Sequence, residues 1–282
     1  MGIRSLYHWD RLVVVIISSL WAQFHVDAAM SCSEDWICIE TKNNKAGVNV
    51  YAVNKRPFPA TVSVRVKGSN LKPRNPSVTR AVQGKERLHL ITLERVNANR
   101  NYDYEYRFDW AIGDANATPD DYIYALPYAP GQSYRVLQGF GSKFSHQGLE
   151  QYAVDFDMDV GTPVHAARPG TVTDVVTRHN RGCWQKGCGK HANFIVISHR
   201  DGTTGEYYHL KKDGAVVSLG DVVERGQLIG YSGNTGHTTT PHLHFAVYRP
   251  TSWGKTQSLP FKFEAARGII PSPRPGRKYI AK

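Results

Sequence analysis

The chain has 282 residues, 41% of them hydrophobic and 21% charged, a globular composition that excludes a disordered or collagen-like protein. That length suits two domains of ordinary size. Thirty-five Lys and Arg against 24 Asp and Glu leave a formal net charge of +11, which favours a polyanionic partner without choosing among an anionic wall, a membrane surface and nucleic acid. No uninterrupted apolar run reaches the length of about 18 residues that a membrane-spanning helix needs, which argues against an integral membrane protein.

In chain order, Arg4 and Arg11 precede the apolar run Leu12 to Leu20, and small residues follow at Val26-Asp27-Ala28-Ala29. A basic region, a short hydrophobic core and a small-residue site predict a secretory signal peptide over 1–28, cleaved near Ala28. Ala29-Met30-Ser31 ahead of Cys32 lacks the leucine of a lipidation site. Export permits disulfides. Cys32, Cys38, Cys183 and Cys188 allow three pairings, and their two close-spaced couples favour the local one; a Cys-based zinc site is the rival, but the spacing is wrong for it.

Residues 29–128 read as short strands of an N-terminal domain. Val62, Val64 and Val66 alternate with polar residues, and Tyr102, Tyr104, Tyr106, Phe108 and Trp110 repeat the period of two. Turns fall at 55–59 and 72–76, where prolines cluster. This spacing predicts a β-sandwich, immunoglobulin-like in character. The aromatic ladder reads as core, with a sugar-stacking platform as the alternative. Residues 129–249 are again β-rich and punctuated by glycine, with candidate strands at 171–177, 193–199 and 206–210. The last segment, 250–282, holds five prolines and seven Lys and Arg against one Glu. It reads as a basic tail that packs partly on the preceding sheet and then frays. The fold class expected is all-β.

Nine of the twelve histidines lie between 131 and 249. His242 and His244, in Pro241-His242-Leu243-His244-Phe245, stand at i and i+2, so on a strand they share a face about 7 Å apart. His209 ends the predicted strand Glu206-Tyr207-Tyr208, and His146 precedes Asp155-Phe156. Imidazoles and a carboxylate are the usual ligands of a catalytic zinc that keeps one position open. A lone His-x-His would be weak evidence; the combination is much stronger.

Together these pieces resemble the lysostaphin-type (LytM-like) zinc metallopeptidases, peptidoglycan endopeptidases built on a compact β-sheet core. The matching pieces are His146 with Asp155-Phe156, the run Gly161-Thr162-Pro163-Val164, Tyr208-His209-Leu210, Gly220-Asp221-Val222, Gly226-Gln227-Leu228-Ile229-Gly230, Ser232-Gly233-Asn234-Thr235-Gly236 and Pro241-His242-Leu243-His244-Phe245. The resemblance covers about 115 residues and leaves out the N-terminal domain and the tail. It implies that His146, Asp155 and His244 bind one zinc ion and that His209 and His242 are the catalytic histidines. One feature departs from the compact pattern: eight residues, not three, separate His146 from Asp155, and this longer insertion is expected to loop out beside the site. Asp157 and Asp159 share a predicted face with Asp155. The interval from Asp155-Phe156 to Gly161 is similar to the family's spacing ahead of its Gly-Thr-Pro-Val turn, so the resemblance favours Asp155 among the three.

What the resemblance implies is an exported, periplasmic or extracellular endopeptidase that cuts peptide cross-links of bacterial peptidoglycan through a metal-activated water. The sequence lacks the helical His-Glu-x-x-His signature, so His209 and His242 take the proton-transfer role. The alternative is a non-catalytic wall-binding regulator of another hydrolase, which the full ligand set disfavours. A carbohydrate-binding protein acting through its β-sandwich is a third. The basic tail would meet an anionic envelope surface; no nucleic acid partner is expected, and the chain is expected to be a monomer. His165, His179, His191 and His199 read as ordinary surface or core residues. His237 could border the groove, whose wall a Cys183–Cys188 hairpin tip would stiffen.

Overall fold

The computed structural model describes residues 28–282 and, ahead of them, the backbone of one strand, Val13–Ile17. The expected targeting segment falls, but for that strand and Ala28, outside the described residues. The described residues divide into two compact units, one of Ala117–Arg249 with Thr256–Lys282, the other of Val13–Ile17 and residues 28–116 with Pro250–Lys255. Both are built from strands. Among the described residues the helical pieces are two 3-10 turns, Gly148–Glu150 and Cys188–His191.

The N-terminal unit has two antiparallel sheets. One pairs Ala60–Ser69 with Asp103–Ile112 and adds Ser77–Val82 and Val13–Ile17. The other runs in the order Ala28–Ser33, Ile37–Asn44, Gly47–Asn54, Arg87–Arg95, Leu71–Lys72. Alternation puts Val62, Val64, Val66, Tyr104, Tyr106, Phe108 and Trp110 into one core with Ile37, Ile39, Val48 and Val50 of the facing sheet. Trp36 packs edge-on against Trp110 at 4.6 Å. The rings at 104, 106, 108 and 110 are buried, so they are core and cannot serve as a sugar platform. Burying each contributes about 2 kcal/mol. The Cys32–Cys38 disulfide ties two cross-strand partners beside the hairpin turn.

The C-terminal unit centres on a sheet ordered Val222–Val223, Gly170–Val176, Phe194–Ser198, Thr204–Tyr208, Leu243–Pro250, Val154–Phe156, Ser133–Gln138, Lys278–Ile280, with Thr256–Leu259 paired beside Leu243–Pro250. Every residue of Phe194–Ser198 and Thr204–Tyr208 is buried. Strands covered on both faces read as continuous runs, which is why alternation fades here. One face rests on the main core of Val154, Phe156, Ile195, Tyr207, Phe245 and their neighbours; the other carries polar side chains between smaller apolar clusters around Phe194, Val196 and Tyr208 and around Tyr248.

The basic segment does not fray. Lys262–Ala265 pairs in parallel with Ile123–Ala125, and Lys278–Ile280 forms the sheet edge against Ser133–Arg135. Phe261, Phe263, Ile270 and Ala281 are buried in the main core. Three- and four-residue strands show too few repeats for a period, and they pair with partners more than 100 residues away. Pro260, Pro271, Pro273 and Pro275 sit between strands, where no ladder hydrogen bond is lost.

Candidate metal centre

Strand alternation builds the site. Leu243–Pro250 sends Leu243, Phe245 and Val247 into the main core and therefore His244, Ala246 and Tyr248 to the opposite face. Val154–Phe156 does likewise, with Asp155 on that opposite face. Register then aligns them: Asp155 lies opposite His244, Gln138 opposite Asp155, and Tyr208 opposite His244. Four strands thus carry a polar row, Gln138-Asp155-His244-Tyr208, along one line across the sheet.

His146 comes to this row from a loop. Its Nδ1 lies 3.2 Å from the Gly139 carbonyl oxygen; a carbonyl only accepts, so Nδ1 carries the proton and Nε2 presents a lone pair. That Nε2 is buried, lies 3.2 Å from Asp155 Oδ1 and makes no hydrogen bond. His244 Nδ1 lies 2.9 Å from the same oxygen. One ligand atom from each of His146, Asp155 and His244 falls within 4.8 Å of the others. Two ligands on a tetrahedral ion with bonds of about 2.0–2.2 Å stand roughly 3.3–3.6 Å apart, so a slight opening of the trio admits a cation. An unsatisfied buried nitrogen aimed at a carboxylate is the feature a cation would relieve. The two nitrogens and one oxygen fit such an ion.

Burial alone would raise the Asp155 pKa, but the imidazoles of His146 and His242 nearby hold it well below the ordinary range. Gln138 Nε2 donates to Asp155 Oδ2 at 2.6 Å and reaches Ser145 Oγ at 2.8 Å, fixing the carboxylate's other oxygen.

His209 and His242 flank the trio, their rings 4.5 Å apart. His209 sits between Thr204–Tyr208 and Leu210–Ala215 at φ +67°, a left-handed conformation that a non-glycine residue adopts at a cost. Its Nδ1 donates to the Thr235 carbonyl at 2.7 Å, and His242 Nδ1 donates to the Thr240 carbonyl at 2.7 Å. Both rings therefore keep Nε2 as the free nitrogen. Burial, reinforced by His242 and His244, pushes the His209 pKa well down, so it rests as a neutral acceptor. His242 Nε2 is 3.9 Å from Asp155 Oδ2.

These residues line a groove of about 720 Å³, which Phe144, Trp184 and His237 also border. Trp184 stacks on His237 at 4.2 Å and on Phe144 at 5.0 Å. The Cys183–Cys188 disulfide closes the loop carrying Trp184, and His237 Nε2 donates to the Trp184 carbonyl at 2.9 Å.

Other candidates lie elsewhere. The strand ends at Phe156, so Asp157 leaves its face and pairs with Arg135 at 2.9 Å. Asp159 uses its backbone carbonyl to accept from Thr162 and Ser232. His199 is a core residue. His179 and His191 meet each other at 5.7 Å, and His165 bonds the Gly226 carbonyl. Sequence reasoning missed Gln138, Glu150 and Tyr248. Tyr248 carried a signal, since the i+4 position shares the face of His244; Gln138 and Glu150 carried none.

A buried His-Asp-His trio that could hold a metal ion stands beside two further imidazoles, open to a groove on a β-sheet. Residues 150–258 match peptidase family M23. The match takes in Asp155, His209, His242 and His244, while His146 precedes it. The chain is similar to lysostaphin of Staphylococcus simulans, 34% identical over 155 residues, covering 52% of this chain and 29% of that protein. It is 36% identical over 138 residues to glycyl-glycine endopeptidase ALE-1 of Staphylococcus capitis, covering 48% and 35%. It is 35% identical over 124 residues to peptidoglycan DD-endopeptidase ShyA of Vibrio cholerae, covering 43% and 26%. The chain thus spans between 26% and 35% of the length of these relatives.

Proposed function

We propose that the protein is an exported zinc-dependent endopeptidase that hydrolyses peptide cross-links of bacterial peptidoglycan. The observation that carries this reading is the His146-Asp155-His244 trio, with His209 and His242 presenting free Nε2 atoms to the same groove. Relatives named as glycyl-glycine and DD-endopeptidases support the substrate class. Two disulfides fit an oxidising compartment, and the basic N-terminal pattern ahead of Ala28 fits export. Among the described residues no helix is long and apolar enough to cross a membrane.

The trio would hold the metal, which when bound supplies Lewis-acid polarisation of the scissile carbonyl and acidifies water. The remaining work falls to this chain's side chains. Gln138 orients Asp155, and the Thr235 and Thr240 carbonyls fix the tautomers of His209 and His242. A neutral His209 accepts a proton from the attacking water at Nε2 and returns it to the departing amine, and His242, whose Nε2 is likewise a lone-pair acceptor, offers a second base beside it. The groove walls position the peptide.

Purified peptidoglycan should clear in turbidity assays with the zinc-loaded protein, stop clearing with chelator, and resume on adding zinc. Mass spectrometry of the digest should show new amino and carboxyl ends within cross-links. Chelator-insensitive clearing, or wall binding without cleavage by zinc-loaded protein, would return the regulator reading to first place.

A further inference from the structure

The eight residues between His146 and Asp155 do not loop away from the site. They fold through the 3-10 turn Gly148–Glu150 and deliver a carboxylate into the interior: Glu150 is 3% exposed and Tyr248 1%. The turn is held by the Glu150 amide donating to the Gln147 carbonyl and the Ala153 amide to the Glu150 carbonyl. Ala153 and Ala246 pack with Tyr248 in a cluster separate from the main core, and their small side chains leave room for the phenol ring.

The Tyr248 hydroxyl donates to Glu150 Oε2 in a short hydrogen bond, and His244 Nε2 lies 3.2 Å from that hydroxyl and 3.8 Å from Glu150 Oε2. The opposite nitrogen, Nδ1, faces Asp155 and the trio. A carboxylate can only accept, so the phenol proton points to Glu150 and leaves the phenol oxygen to accept from His244 Nε2–H. Asp155 Oδ1 accepts too, so the hydrogen bonds alone admit a proton on either nitrogen; a cation bound through Nδ1 would need that lone pair, and the phenol oxygen would then hold the proton on Nε2. Burying a carboxylate costs several kcal/mol unless it is bonded, and an apolar side chain would fill the same space more cheaply. The arrangement meets the metal-binding trio through His244, whose far side it orients.

We infer that Glu150 and Tyr248 form an outer relay that positions His244 as a metal ligand through Nδ1, so that metal affinity depends on a turn supplied by the insertion between His146 and Asp155. This rests on the zinc reading given above. Both are positioning residues in this reading: Tyr248 and Glu150 hold His244 from its far side, although Glu150 also borders the groove.

The test is zinc affinity of the full chain, measured by competition with a chromophoric chelator, together with apo-protein melting. Tyr248→Phe and Glu150→Gln, both nearly isosteric, should each weaken zinc binding about 10- to 100-fold. Because they act in series, the double variant should bind no more weakly than Tyr248→Phe alone. Tyr207→Phe is the control. Its hydroxyl is equally buried but accepts from the Ala167 amide on the other face of the sheet, so it should lower the melting temperature and spare zinc affinity. Parental zinc affinity in Tyr248→Phe, additive losses in the double variant, or an equal loss in Tyr207→Phe would each overturn the relay. Failure of the unaltered chain to bind one zinc ion would overturn the proposed function, and the relay with it.

Discussion

At the scale of single residues, the trio and its flanking histidines make separable demands. Asp155→Ala removes the oxygen that both His146 Nε2 and His244 Nδ1 approach, and should lose most bound zinc. Asp157→Ala breaks only a solvent-side pair with Arg135 and should keep it; exposed pairs of this kind contribute about 0 to 1 kcal/mol. Elemental analysis of the two variants distinguishes them, and full zinc in Asp155→Ala would dismiss the ligand choice. His209 faces the other way on both counts. Its Nδ1 is committed to Thr235 and its Nε2 is free, so His209→Ala should retain near-stoichiometric zinc while turnover falls about 10²- to 10⁴-fold. His244→Ala should lose zinc and turnover together. A zinc-loaded, fully active His209→Ala protein would end its catalytic assignment.

At the scale of elements, the C-terminal segment behaves as part of the sheet. Tyr128 Oη donates to the Tyr279 carbonyl at 2.7 Å, and Ala281 is buried against the main core. Lys278–Ile280 also shields the strand that carries Gln138. Removing residues 272–282 should therefore cost about 2–3 kcal/mol from lost burial, lowering the melting temperature at every salt concentration rather than only weakening wall binding at low salt. An unchanged melting temperature would restore the picture of a detachable tail. Part of the segment's charge is already answered within the fold, since Glu264 bonds both Lys282 and Arg225. Strand alternation at 104–110 was legible because ten paired positions repeat the period several times. The three-residue strand at 278–280 was not, because its apolar contacts are too few to form a pattern.

At the scale of the whole molecule, acid should loosen the C-terminal unit through His199. Its Nδ1 donates to the Pro169 carbonyl at 2.9 Å while Nε2 lies buried without a hydrogen bond, near Gly205, where a Cβ would stand 2.8 Å from it. Burial pushes the His199 pKa down to about 4. In the unfolded chain the imidazole protonates near pH 6.5. Protons therefore favour unfolding: this group's stabilisation is complete above about pH 6.5 and is lost as pH falls toward 4, a span of about 3 kcal/mol. Urea midpoints measured from pH 7.5 to 4 should fall more steeply for the parent chain than for His199→Gln, which cannot titrate there. Parallel slopes would show that His199 protonates without penalty in the folded state.

The sequence by itself determined which residues could share a face, because alternation is a local property of the strand: Val62 with Val64, Tyr104 with Trp110, His242 with His244 all follow from a period of two. It determined too that the two close-spaced cysteine couples could close local loops, and both disulfides form. Only the tertiary structure decided what stands opposite those faces. Asp155 meets His244, and Gln138 meets Asp155, through register between strands far apart in the chain, and no spacing encodes register. The same holds for Glu150, whose place beneath His244 depends on how a loop closes, and for the C-terminal strands, whose pairing is set by edges the rest of the sheet leaves open. Local periodicity is written in neighbouring residues; long-range pairing is settled by which surfaces must be buried together.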